Sequence, residues 1–79
     1  MTVKIINVKE QVYEEEAEEV VLPGADGEFS VLDFHQDFLY ALADGNVVIF
    51  PRRKDKPARK MHIDKALAYM KANELRIFI

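Results

Sequence analysis

The stretch Leu22-Pro23-Gly24-Ala25-Asp26-Gly27-Glu28-Phe29 constrains this chain more than any other. It joins two apolar runs. Pro23 has a fixed φ and no N–H to donate, and Gly24 and Gly27 reach φ > 0 without a Cβ clash. A Pro-Gly step followed by Asp-Gly is a tight reversal between strands, and it excludes a helix across the junction.

Seventy-nine residues make one domain, residues 1–79, with a thin core. There is no cysteine, so disulfides and thiolate metal sites are excluded. The longest apolar runs, Val20-Val21-Leu22 and Val47-Val48-Ile49-Phe50, fall far short of the roughly 20 residues that span a bilayer. No transmembrane helix or signal peptide is expected. The net charge of −3 hides an asymmetry, −9 over residues 1–50 and +6 over residues 51–79. An acidic chain argues against nucleic acid as the main partner, because phosphate neutralisation needs local basicity.

Taken in order, Thr2 to Val8 is β-branched and predicts a strand with Val3 and Ile5 on one face. A second short strand follows at Gln11–Glu14. Five glutamates in Glu14–Glu19 repel one another, so a turn is expected near Glu15-Glu16 and a further strand from Ala17 to Leu22. Neither face of that strand is cleanly apolar. Glu28–Asp33 alternates, with Phe29 and Val31 inward. Phe34 to Ala43 fits either a helical face or extended chain. Asp44-Gly45-Asn46 is a turn, and Asn46–Phe50 is a strand whose continuous apolar run predicts burial on both faces. A basic loop, Pro51–Lys60, separates it from strand-like Lys60–Ile63. Residues 64–73 read as helix by propensity, with Asp64 as N-cap. Leu75–Ile79 is a last strand. The pattern is mostly β, with up to nine short strands.

Catalytic chemistry is sparse. Asp33-Phe34-His35-Gln36-Asp37 places two carboxylates and an imidazole at i, i+2 and i+4, one face of an extended chain, where they could converge on a metal or act as a base pair. The same residues suit a polar loop whose aspartates hold backbone N–H groups, the preferred reading. His62 is expected to be partly buried with a satisfied ring nitrogen. Ser30 and Thr2 lie in no nucleophile motif, and no phosphate-cradling glycine loop is present. Arg52–Lys60 holds six Lys or Arg in nine residues, without an aromatic to stack on bases. A solvated loop is favoured over a patch for anionic lipid, an acidic partner or RNA.

From Val12-Tyr13-Glu14-Glu15-Glu16-Ala17 through Val20–Leu32, His35, Phe38–Leu42 and Gly45–Ile49, order and spacing resemble the N-terminal β-sandwich domain of the epsilon subunit of F-type ATP synthases. The resemblance covers residues 2–50; residues 51–79 match in outline. It implies an all-β fold, a two-sheet antiparallel β-sandwich of jelly-roll-like topology. It also implies a non-catalytic central-stalk subunit that docks on the gamma subunit and the membrane c-ring and couples ion translocation to ATP synthesis. No cofactor or metal is implied. The expected location is the cytoplasmic face of an energy-transducing membrane, reached only through the complex. By position, Glu28 resembles the ring-facing acidic site, and Asn7, His35 and Tyr40 fall where family members meet gamma. The alternatives are an epsilon-like stand-alone binding module, or a small metal-binding protein using Asp33, His35 and Asp37.

Four features depart from the family pattern. The usual Pro-Gly-His is Asp33-Phe34-His35, with Asp37 where a proline usually follows, so a different backbone path is expected in this loop. Lys65-Ala66 replaces a glycine pair between late strands. The family pattern implies strands there, and strands are expected over residues 64–73 against the helix propensity. The basic loop is richer in charge than usual. The chain stops at Ile79, where the family continues into a helical hairpin, so the hairpin's inhibitory role and ATP binding are not carried over. The expected core is Phe29, Val31, Leu39, Leu42, Val47, Ile49, Ile63, Ile77 and Phe78.

Overall fold

In the computed structural model, which describes all 79 residues, the chain forms eight strands and no helix. They are β1 (Thr2–Ile6), β2 (Gln11–Gly24), β3 (Gly27–Leu32), β4 (Phe38–Leu42), β5 (Gly45–Pro51), β6 (Arg59–Ile63), β7 (Ala66–Lys71) and β8 (Glu74–Phe78).

β2 holds the two layers together. Its first half pairs with β1, and its second half pairs with β3 on one side and β5 on the other. From β1 the sheet runs through β8 and β7 to β4, and from β5 to β6. β4 returns to β2 at one bridge, Gly24 opposite Leu42. The result is a sandwich whose layers connect through a single strand into one mixed sheet. All pairs are antiparallel except β1 with β8, which is parallel.

The expected turn at Glu15-Glu16 does not occur. β2 is continuous for 14 residues, and the chain has eight strands, within the expected number. Repulsion along the glutamates is relieved by the basic loop, which folds back on them. Lys56 Nζ lies 3.2 Å from Glu15 and Lys54 Nζ 2.5 Å from Glu18. A β-bulge between Ala17 and Glu19 explains why neither face of the segment is cleanly apolar. Before it Tyr13, Glu15 and Ala17 turn toward the core side; after it Val20 and Leu22 are buried. An extra residue shifts the period-two alternation by one, which exchanges the faces.

Fifteen apolar side chains form one buried core, and no polar or charged side chain is buried with them. Of the expected members, Val31, Leu42, Val47, Ile49, Ile63 and Ile77 are buried and Phe29 packs against them half-buried. Leu39 and Phe78 are corrections, being 63% and 39% exposed. In β4 the inward positions are Phe38, Tyr40 and Leu42, which sends Leu39 outward, and Ile77 takes the inward place beside Phe78. β5 buries one face only: Val47 and Ile49 are enclosed while Phe50 is exposed.

Residues 64–73 form no helix. Ala68 and Met70 are buried at a spacing of two, on a strand held by β4 and β8. Ala72 and Asn73, with φ 51° and 60°, make the two-residue reversal into β8. Two successive positive φ values define a type I′ turn, whose twist matches antiparallel strands. Cross-strand pairing on both sides outweighs the weak helix preference of the isolated segment.

Candidate functional site

Pro23 and Glu28 face each other at the end of the β2–β3 hairpin, and Ala25-Asp26 forms its tip between Gly24 and Gly27. Gly27 takes φ 121°, a region closed to side-chain-bearing residues. The hairpin is anchored from below. Pro23 O accepts a hydrogen bond from Ala43 N at 2.8 Å, and Pro23 packs so closely on Gly45 that a Cβ there would lie 2.7 Å from the proline Cβ.

Beside this anchored tip, the inward side of β4 brings Phe38 and Tyr40 against Phe29 of β3. Ring centroids are 6.0 Å apart for Phe29–Phe38 and 5.2 Å for Phe29–Tyr40, both edge to face. His35 closes the group, 5.3 Å from Phe38 at 83°. A cavity of about 380 Å³ is lined by these four rings with Asp26, Gly27 and Glu28. Tyr40 Oη donates to Asp26 Oδ2 at 3.3 Å, and His35 Nδ1 donates to the Gln36 carbonyl at 2.8 Å.

Glu28, His35 and Tyr40, which the sequence assigns to two different partners, thus share one pocket. Asn7 is elsewhere. Its Oδ1 accepts from the backbone N–H groups of Lys9 and Glu10, closing the β1–β2 turn. That turn lies at the Ile6 end of β1. The loop carrying His35 lies toward the other end, where Thr2 N and Phe34 N donate to the Asn73 carbonyl and Oδ1. Asn7 is therefore a turn former remote from the aromatic pocket. Sequence reasoning missed Asp26, Phe29 and Phe38 as site residues. The i, i+2 spacing of Phe38 and Tyr40 was the available signal, obscured because the segment also fits a helix.

The Asp33-Phe34-His35-Gln36-Asp37 loop does not gather its polar groups, and no group of three His, Asp or Glu side chains capable of holding a metal ion forms. Asp33 accepts two hydrogen bonds from Arg52 Nη2, at 2.6 and 2.7 Å, and one from the α-amino group of Met1. Arg52 and the Met1 amine together hold its carboxyl below the usual carboxylate range. Asp37 Oδ1 accepts from Ala72 N at 3.2 Å. The two aspartates hold the loop, as the polar-loop reading expects. Phe34 in this loop has φ 62°, the left-handed conformation that glycine favours.

The basic loop is largely spent on the acidic strand. Besides the ion pairs to Glu15 and Glu18, Arg53 pairs with Asp55 and Arg59 lies 5.2 Å over the Tyr13 ring. Burial pushes the Tyr13 hydroxyl up to about 12, helped by the hydrogen bond it donates to Glu15 at 2.8 Å. Burial opposes ionisation of Glu15, but hydrogen bonds from Tyr13 and Lys56 prevail and lower its pKa. His62 is exposed, not partly buried, with Nε2 3.2 Å from Asp64. Ser30 and Thr2 hydroxyls donate to Glu19 and Glu16.

Fifteen buried apolar side chains beneath an aromatic surface pocket define a β-sandwich domain. The chain belongs to the family described as ATP synthase, delta/epsilon chain, beta-sandwich domain, whose profile matches residues 1–79. It is 29% identical to the ATP synthase epsilon chain of Gloeothece citriformis over 79 residues, all of this chain and 55% of that one. It is 37% identical to the epsilon chain of Rickettsia bellii over 57 residues, covering 72% of this chain and 53% of that one. The chain thus spans about half the length of the curated relatives it matches. The fold is shared with a chain of the Euglena gracilis mitochondrial ATP synthase (TM-score 0.84, 17% identity, 96% of this chain and 48% of that one). It is also shared with a chain of the Tetrahymena thermophila mitochondrial ATP synthase central stalk and c-ring (TM-score 0.76, 13% identity, 99% and 61%). No helix is long and apolar enough to cross a membrane.

Proposed function

We propose that this chain serves as the β-sandwich part of an F-type ATP synthase epsilon subunit, a non-catalytic element of the rotor that docks on gamma and on the c-ring. The match of the family profile to all of residues 1–79 carries the proposal. The pocket at the β2–β3 tip supports it, because Glu28, His35 and Tyr40 share one surface there. The mechanism is mechanical: two layers sharing β2 resist shear, so torque passes through packed contacts. We place the subunit at the cytoplasmic face of an energy-transducing membrane, held through the complex. Glu28 faces the ring. His35 and Tyr40, on the same pocket, reach gamma at its edge. Asn7 shapes the β1–β2 turn, and any contact it makes with gamma is through that turn.

Binding to the cognate gamma subunit, measured by pull-down and calorimetry, tests the reading. A stable complex is expected, and coupling should return when the chain is added to a synthase depleted of epsilon. Absence of gamma binding by a well-folded chain would remove the main support.

A further inference from the structure

We propose that Asp33 and the Ala17 carbonyl form a site that accepts the α-amino group of Met1 only when that group is unacylated, so that N-terminal acylation weakens the fold. The backbone builds the site. β1 and β2 pair with Thr2 opposite Glu16, and Met1 adds one more rung in the same register. Met1 N donates to Ala17 O at 2.9 Å, and Met1 O accepts from Ala17 N at 2.9 Å. The amine donates in addition to Asp33 Oδ1. Met1 is 1% exposed and its side chain belongs to the core, so the charged amine is enclosed rather than projecting into water. An enclosed ammonium needs a counter-charge, and Asp33 provides it. Arg52 fixes that carboxylate in place. Its Nη2 donates to both Asp33 oxygens, at 2.6 and 2.7 Å, and to Ala17 O at 3.3 Å.

The chemistry of the nitrogen decides whether the site closes. An ammonium carries a positive charge and three N–H donors. An acylated nitrogen is neutral, keeps one N–H and brings a carbonyl oxygen. Its single donor serves either the Ala17 rung or Asp33, so one acceptor goes without. The new oxygen adds partial negative charge beside a carboxylate, and burial of Met1 leaves the acyl carbon no open direction. The effect reaches two loops, because Asp33 opens the 33–37 loop and Arg52 opens the basic loop, and the pair ties them together. A chain begun with formylmethionine has to be hydrolysed to formate and the free amine before this site closes. Loss of Met1 is no substitute. Thr2 N already donates to Asn73 O at 3.1 Å, and the core would lose the Met1 side chain.

The test compares chemically synthesised chains of all 79 residues that differ only at the Met1 nitrogen: free amine, Nα-formyl and Nα-methyl. The methyl group adds bulk as the formyl group does, but keeps the charge and two donors. Thermal unfolding is followed by circular dichroism at neutral pH. Formylation should lower Tm by at least about 5 °C, because it leaves the enclosed carboxylate without one of its cations. Methylation should cost less than about half of that. In Asp33→Asn, where the amine meets no carboxylate, formylation should also cost less than about half of what it costs in the unmodified sequence, the signature of a direct pair. Equal Tm of the formyl and free-amine chains overturns the proposal. So does a methyl group as costly as the formyl group, or an equal cost of formylation in both backgrounds. A formyl chain that fails to fold beside a methyl chain that folds supports the site; failure of both shows that bulk decides and overturns it.

Discussion

Ala72 sits at φ 51° in the turn between β7 and β8, and its N–H donates to Asp37, so the turn braces the loop that presents His35. An L-residue in the left-handed region costs roughly 1–2 kcal/mol. Glycine removes that cost and adds back about 0.4–1 kcal/mol of unfolded-chain entropy. Ala72 is exposed, so no packing is lost. Ala72→Gly should therefore stabilise the fold by about 0.5–1 kcal/mol, a rise in Tm of about 3–6 °C for a chain of this size. Phe34→Gly provides the contrast. Its φ of 62° gives the same relief, but the buried fifth of the phenylalanine contributes about 0.3–0.6 kcal/mol, so the terms nearly cancel. Ala41→Gly, on an exposed position of β4, lacks the left-handed strain and should lower stability by about 0.5–1 kcal/mol. Thermal unfolding by circular dichroism ranks the three. If Ala72→Gly and Ala41→Gly lower Tm by similar amounts, the left-handed turn is not strained and the reasoning fails.

Three further outcomes follow from the geometry. The pKa of Asp33 is depressed in the fold, so its stabilisation is present above the unfolded carboxylate pKa and is lost as pH falls through the folded value. Asp33→Asn should lower Tm at pH 7 and flatten the acid limb of the Tm–pH curve; an unchanged limb would refute the pairing. Tyr13 is raised from 10.0 to about 12, so its contribution is complete below pH 10 and disappears as pH approaches 12. Absorbance titration at alkaline pH should show a late-ionising phenol that is missing in Tyr13→Phe. Gly45→Ala forces a Cβ to within 2.7 Å of Pro23 Cβ and should destabilise by about 1–3 kcal/mol, measured by urea unfolding. Stability within error of the unmodified chain would show that the hairpin anchor is loose.

Features that depend on neighbours along the chain are legible in the residues alone. Pro23, Gly24 and Gly27 dictate a reversal wherever they lie, because their backbone limits are local. Alternation over Phe29–Val31 and Val47–Ile49 marks an inward face, and the order of residues 2–50 carries the family. Features that depend on partners far along the chain emerge only in the folded molecule. The glutamates of β2 stay extended because Lys54 and Lys56, more than 35 residues away, return to neutralise them. The bulge after Ala17 exchanges faces within one strand, which no single-period reading can register. Residues 66–71 take their conformation from β4 and β8 rather than from their own propensity. Asp33 and Asp37, metal candidates in the linear pattern, are claimed by Arg52 and by the backbone of Ala72. Glu28, His35 and Tyr40 are spread over thirteen positions and meet in one pocket because β3 and β4 place Phe29 against Phe38 and Tyr40. Side-chain convergence of that kind is a property of strand pairing, and pairing is fixed by hydrogen bonds between segments that the sequence keeps apart.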